Sequence, residues 1–188
     1  MSDFRFPTRV EKLRQRLIKN DLDAIFISNG ENRRYISGFV SSAGYLLVTQ
    51  KDAVICTDFR YTELAEQQAP GWRIDRIGGP SDWLAKLVNE FEIKTLGFEA
   101  DDMTVSTLER FKKALKENET NPELKPTSGI GVDLRAYKDA GELELLQHAI
   151  DIGDQAFEET ASQLEVGMTE KEAAWIFEKA VRERGAES

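Results

Sequence analysis

YLLVTQKDAVICT, running from Tyr45 to Thr57, decides the fold. Two short apolar runs, Tyr45–Thr49 and Ala53–Thr57, flank the polar break Gln50-Lys51-Asp52, which is the pattern of a β-hairpin. Such a hairpin makes its two strands antiparallel. Around it the sequence reads as strands alternating with helices. Leu22–Ser28 (LDAIFIS) and Thr95–Glu99 (TLGFE) are apolar strand segments, and Trp72–Ile77 (WRIDRI) alternates with period two. Alternating strands and helices predict an α/β domain, and the hairpin makes its sheet mixed rather than purely parallel.

The helices between these strands carry their own signals. Thr8 and Glu11 form a T-x-x-E capping pattern ahead of an apolar face at Val10, Leu13 and Leu17. Asp58 is positioned to cap a helix from Arg60 to Gln68, closed by Pro70-Gly71. Gly78-Gly79-Pro80 turns the chain, and Ser81 opens a helix with Leu84, Leu87, Val88 and Phe91 inward. Thr104 opens another, lined by Val105, Leu108, Phe111 and Leu115. This first domain is expected to span residues 1–120.

Residues 121–133 read as a linker, within the polar, two-proline stretch Asn118–Pro126, although Ile130–Leu134 could add one strand. Residues 134–188 form the start of a second domain. Asp139 and Glu142 cap a long helix whose inward face is Leu146, Ile150, Phe157, Ala161 and Leu164. Gly167 breaks it, and Thr169 with Glu172 caps a last helix faced by Ala173, Ile176, Phe177 and Ala180. Two amphipathic helices bury little by themselves, so these faces are expected to be exposed or covered by another chain segment.

Composition narrows the function. With 40% apolar and 31% charged residues the chain suits a globular core, and its net charge of −9 argues against nucleic acid and anionic membranes as partners. No run approaches the roughly 20 apolar residues of a membrane span. The charged amino terminus lacks a secretory apolar region, and the single cysteine, Cys56, suits a reducing cytoplasm and a buried strand position. Phosphate-loop, H-E-x-x-H, G-x-S-x-G and C-x-x-C motifs are absent. Gly129-Ile130-Gly131 lacks the third glycine of a dinucleotide fingerprint. The sole histidine, His148, lies off the apolar stripe of its helix and reads as a surface residue. Asp151 and Asp154 read as a solvated acidic face rather than metal ligands, and Asp101-Asp102 as favourable charge before a helix. Trp72, Trp83 and Trp175 sit near apolar faces. The residues alone reveal no active site.

Five ordered segments together carry a resemblance. NRRYISGFVSSAGYLLVT (Asn32–Thr49) resembles the N-x-R-Y-x-[ST]-G-F signature of the amino-terminal domain of creatinase, prolidase and Xaa-Pro aminopeptidases. ICTDFRYTELA (Ile55–Ala65) resembles that domain's T-D-x-R-Y segment, and LGFEADDMT (Leu96–Thr104) its G-F-E step. LRAYKDAGELELLQHAIDIGDQAF (Leu134–Phe157) is similar to the helix opening the family's catalytic domain, with Tyr137 and Ala140-Gly141 departing from the usual residues. EVGMTEKEAAWIFEKAVRERGAES (Glu165–Ser188) is similar to the helix that follows.

The resemblance implies a mixed-sheet creatinase/prolidase amino-terminal domain with a ribonuclease H-like motif, followed by a truncated α+β pita-bread domain. It implies a homodimeric parent enzyme that hydrolyses proline-containing peptides before proline with two divalent metal ions (Mn, Co or Zn). The metal ligands of that family lie beyond the strand that would begin at Gly185–Ser188, so the fragment is expected to bind no metal and to be inactive. Its expected roles are dimerisation and shaping of the neighbour's substrate cleft, with Phe39 at a loop tip, Arg60 and Tyr61 as the candidate substrate-binding residues in trans. For Phe39, packing into its own domain is the other reading. For Arg60 and Tyr61 the other reading is a local pairing of Arg60 with a carboxylate and packing of Tyr61. A non-catalytic peptidase-like module that binds proteins, as in the large subunit of the histone chaperone FACT, is the alternative function.

Overall fold

The computed structural model describes residues 6–79 and 81–186. Pro80, at the end of the expected Gly78-Gly79-Pro80 turn, lies outside them. So do Glu187 and Ser188, at the end of the expected Gly185–Ser188 strand. The chain divides into two compact units, one ending at Tyr137 and one running from Lys138 onward.

The first unit is built on six strands: β1 (Ala24–Ile27), β2 (Tyr45–Thr49), β3 (Ala53–Thr57), β4 (Arg73–Arg76), β5 (Thr95–Glu99) and β6 (Glu123–Thr127). Their order across the sheet is β4-β3-β2-β1-β5-β6. The hairpin forms as expected, with Leu46 opposite Ile55 and Leu47 opposite Val54. Its turn is fixed by Thr49 Oγ1, which accepts from Lys51 N at 3.1 Å and Asp52 N at 2.7 Å. Strand β2 is antiparallel to both neighbours, and the remaining pairs are parallel. The sheet is mixed through that one strand.

β1 reads AIFI with all four residues buried, because helices cover both faces. One face carries Ile25, Ile27, Leu46, Val48 and Ile55 against α1 (Phe6–Lys19), α2 (Gly30–Ser37), α3 (Thr62–Gln68) and α6 (Ile130–Ala136). The other carries Ala24, Phe26, Leu47, Val54 and Cys56 against α4 (Asp82–Glu90) and α5 (Val105–Glu117). Cys56 is fully buried, and burial pushes its thiol pKa far up. Phe26, Tyr45, Trp83 and Phe111 form one ring cluster, with Phe26 and Tyr45 stacked at 4.7 Å between centroids.

Several expectations are corrected, among them the helix expected from Arg60 with Asp58 as its cap: α3 begins at Thr62 after Tyr61 and has no side-chain cap. The boundary at 120 and the linker at 121–133 give way to β6 and α6, which belong to the first unit. Pro126 does not prevent β6, because an edge strand has no outer partner for the missing N–H. Ile130–Leu134 is helical rather than extended: Ile130 and Leu134, four apart, both enter the core. Finally, α1 begins at Phe6, so Thr8 lies inside it and does not cap it.

The second unit comprises α7 (Ala140–Gln163) and α8 (Glu170–Glu183), each opened by a complete capping box, Asp139/Glu142 and Thr169/Glu172. The seam between them is made of small residues. Ala156 and Ala180 are buried there with Val181, and Thr160 is buried beside them. Of the residues expected to be exposed, Ala180 is therefore corrected: it forms the seam. The longer apolar stripe stays open, with Leu146 50%, Ile150 47%, Phe157 67% and Trp175 63% exposed.

Gly131 is the tightest approach between α6 and α2, since an added Cβ would overlap the side chain of Asn32. Asn32 is itself held by two side-chain hydrogen bonds and is 4% exposed. Gly131→Ala is therefore expected to destabilise the chain by about 1–3 kcal/mol, read by urea unfolding. Unchanged stability would show that Asn32 can step aside.

Candidate functional site

Asn29 ends β1's exit and caps α2, its side chain accepting from Asn32 N at 3.0 Å. That cap starts a helix that the elements expected from the sequence do not include. It places Asn32 against Glu99 at the end of β5, Arg33 against Ser28 after β1, and Tyr35 against α6. Gly38 ends the helix with φ 81°, a left-handed conformation, and an added Cβ would meet the ring of Phe6 at 2.7 Å.

The centre of the site is the Glu99 carboxylate at the end of β5, 6% exposed. Its Oε2 accepts from Ser28 N at 2.7 Å and Asn29 N at 2.8 Å, and its Oε1 accepts from Asn32 Nδ2 at 2.6 Å. Asn32 Oδ1 in turn accepts from Arg135 Nε at 2.9 Å, and Arg135 pairs with Glu31 at 3.0 Å. Tyr35 donates its hydroxyl to Leu134 O at 3.0 Å. One carboxylate thus links β5, β1 and α2, and through Asn32 also α6. Burial raises the Glu99 pKa above the ordinary 4.5, against the opposing donors of Asn29, Asn32 and Ser28.

Arg33 is buried beside this network at 4% exposure. Its Nη1 donates to Ser28 O at 3.0 Å and Gly44 O at 2.6 Å, and its Nη2 to Ser41 O at 2.7 Å. Nε has no hydrogen-bond partner. Burial lowers the Arg33 pKa, and the nearby negative charge of Asp102 acts against that shift through space. A cavity of about 360 Å³ opens here, lined by Ser28 after β1, Asp102 after β5, Asp58 after β3 and Gly44 before β2.

The three residues expected to reach a neighbour separate into two environments. Phe39 is 0% exposed in the core of its own domain, so it presents no surface to another subunit. The adjacent Val40, 46% exposed, is the part of that loop that faces outward. Arg60 grips Asp58 with two bonds, Nε to Oδ1 at 3.0 Å and Nη2 to Oδ2 at 2.7 Å, which holds the Asp58 carboxyl below its usual range. Arg60 also lies 5.3 Å from the Tyr61 ring centroid, and the Tyr61 hydroxyl is 2.6 Å from that of Ser42. Sequence reading missed Glu99, Asn32 and Arg33. The available signal was the Asn29–Asn32 spacing of a cap and a charged residue closing an otherwise apolar strand.

The donors here do not fit a pair of divalent metals. Among the described residues no group of three or more His, Cys, Asp or Glu is placed to hold a metal ion. Both Glu99 oxygens face N–H groups, and Asp101 accepts from Ser128 Oγ and Gly129 N. His148, Asp151 and Asp154 are exposed on α7. No helix among the described residues is long and apolar enough to cross a membrane.

Comparison with known proteins places this geometry. The family model described as the Creatinase/Prolidase N-terminal domain matches residues 9–137. The chain is 34% identical over 181 residues to the uncharacterised peptidase YqhT of Bacillus subtilis strain 168, covering 96% of this chain and 50% of that protein. It is 27% identical over 180 residues to the Xaa-Pro dipeptidase of Pyrococcus horikoshii, covering 95% and 49%. Its fold is similar to the Xaa-Pro dipeptidase from Bacillus anthracis, with TM-score 0.87 and 36% identity over 97% of this chain and 50% of that one. A crystal structure of the N-terminal domain of the cytoplasmic peptidase PepQ from Mycobacterium tuberculosis H37Rv matches with TM-score 0.63 and 38% identity, over 68% of this chain and 98% of that one. The chain spans about half the length of the curated relatives it matches along its whole extent.

Replacing Glu99 by Gln puts an amide N–H₂ against a donor, so Glu99→Gln is expected to destabilise the chain by about 1–3 kcal/mol. The folded chain keeps the Glu99 proton to higher pH than the unfolded chain does, so the contribution of Glu99 falls as pH rises from 4.5 upward. Unfolding of both chains across that range should show the gap between them narrowing with rising pH. A widening gap would contradict the raised pKa.

Proposed function

The chain belongs to the creatinase/prolidase N-terminal domain family, and from that premise we propose that it forms the amino-terminal part of an Xaa-Pro peptidase. The observation that carries this reading is the match along 95–97% of this chain to only about half of an Xaa-Pro dipeptidase. The proposed reaction is hydrolysis of the bond before proline. Proline removes the amide N–H and fixes φ, which defeats the extended hydrogen-bonded binding of ordinary peptidases and calls for a dedicated hydrolase.

In this proposal the two divalent metal ions and their ligands belong to the half of the relatives that this chain does not match, and residues 1–188 alone are inactive. The first unit serves a homodimer, with Arg60 and Tyr61 turned toward the neighbour's substrate. Phe39 drops out of that set because it is buried. The cytoplasm is the proposed compartment, supported by the description of the PepQ neighbour.

The test is to assay the 188-residue chain and the longer gene product side by side on Ala-Pro and Ala-Pro-Ala with Mn²⁺, Co²⁺ or Zn²⁺. Cleavage by the longer protein and none by the 188 residues is expected. Cleavage by the short chain would overturn the division of labour. A longer protein that folds and cleaves neither peptide would favour a protein-binding module. In the active longer protein, Tyr61→Ala is expected to raise KM about tenfold, the effect of one lost substrate contact of about 1.4 kcal/mol. Unchanged kinetics in an intact dimer would remove Tyr61 from the cleft.

A further inference from the structure

The cavity at Arg33 is used by nothing in the preceding proposal, and its position, size and charges are those of a ligand site. The strand order reverses direction between β1 and β5, where the chain first builds toward β4 and then returns to β6. In open α/β sheets ligands bind outside the carboxyl ends of the strands at such a switch point. The cavity lies there, among residues that follow β1, β3, β4 and β5. Its volume of about 360 Å³ is at the small end of ligand pockets, which run from about 300 to 1,000 Å³.

The lining holds two opposite charges, Arg33 and Asp102, that act on each other through space without forming an ion pair. Arg33, 4% exposed, is held only by neutral acceptors, its Nη1 and Nη2 donating to Ser28, Gly44 and Ser41. A buried guanidinium is normally paired with an anion. Asp58 and Glu99 form no ion pair with it: Arg60 occupies both Asp58 oxygens, and the Glu99 oxygens accept from Ser28, Asn29 and Asn32 while acting on Arg33 only through space. Asp102 accepts from Asn29 Nδ2 at 3.2 Å and makes no ion pair with Arg33 or any other cation among the described residues. A simple anion would satisfy Arg33 while facing Asp102; a molecule with both charges satisfies the two together. Tyr45, Ile77 and Met103 supply an apolar wall.

We propose that this cavity binds a small zwitterion of amino-acid size, its carboxylate toward Arg33 and its ammonium toward Asp102. The site is complete within the first unit and does not depend on peptidase activity. It is tested by titrating the isotopically labelled 188-residue chain with L-alanine, N-acetyl-L-alanine (no ammonium) and L-alaninamide (no carboxylate). The backbone amide signals of Ser28, Gly44 and Thr104 are expected to shift with L-alanine. Each analogue should bind at least about tenfold more weakly, the effect of one lost charge-assisted hydrogen bond. Asp102→Asn, an exposed change that leaves the core intact, should weaken L-alanine binding by about the same factor. The absence of shifts at these amides up to the solubility of L-alanine would overturn the proposal. So would an N-acetyl-L-alanine affinity equal to that of L-alanine, or an Asp102→Asn chain that binds L-alanine unchanged; Arg33 would then serve only to hold the loop carbonyls.

Discussion

A buried carboxylate must be met by donors, and the way Glu99 meets that demand organises the carboxyl end of the sheet. Its oxygens draw the Ser28 and Asn29 backbone amides of the β1–α2 connection and the Asn32 side chain. Because those amides follow β1 immediately, the carboxylate fixes where the strand stops and where α2 begins. Asn32 extends the same constraint to Arg135 on α6. Elements separated by about a hundred residues are thereby set in register by one charged group. The same arrangement turns both Glu99 oxygens toward N–H groups of the protein itself.

The two faces of the sheet distribute their burden unequally. One face takes four helices, and the other takes two helices with a ring cluster that fills the remaining volume. Both edges resist pairing with foreign strands. At one edge Pro126 withholds an N–H. At the other, β4 carries Arg73 and Asp75, and Arg73 is tied to both Asp75 and Glu90.

The second unit follows a different physical logic. Small residues at Ala156 and Ala180 let α7 and α8 approach closely, and so few atoms at the seam bury little surface. The larger apolar side chains, Leu146, Ile150, Phe157 and Trp175, face outward instead. A stripe of that size is unusual on a finished surface. The half of the relatives beyond this match offers the natural cover for it under the proposed function.

The sequence by itself determined most of the strands and helices whose signal is local, the Thr8/Glu11 pattern inside α1 being a local signal that failed. The Tyr45–Thr57 hairpin, the capping boxes of α7 and α8, the burial of Cys56 and the family motifs all rest on short-range periodicity, turn chemistry or residue identity. Where the signal is not local, the sequence misled. Asn118–Pro126 is polar and proline-bearing, and only its place at the edge of a sheet turns it into a strand. Ile130–Leu134 is too short for periodicity to separate helix from strand, and the core positions of Ile130 and Leu134 settle it. Phe39 looked like a loop tip because its neighbours are small and polar, yet the sheet face beneath α2 had room for its ring. Glu99, Arg33 and Asp102 are ordinary charged residues in the sequence. Only tertiary structure decided that the first two are buried and that the third faces the same cavity, because desolvation and the distance between charges exist only once β1, β5 and α2 have come together.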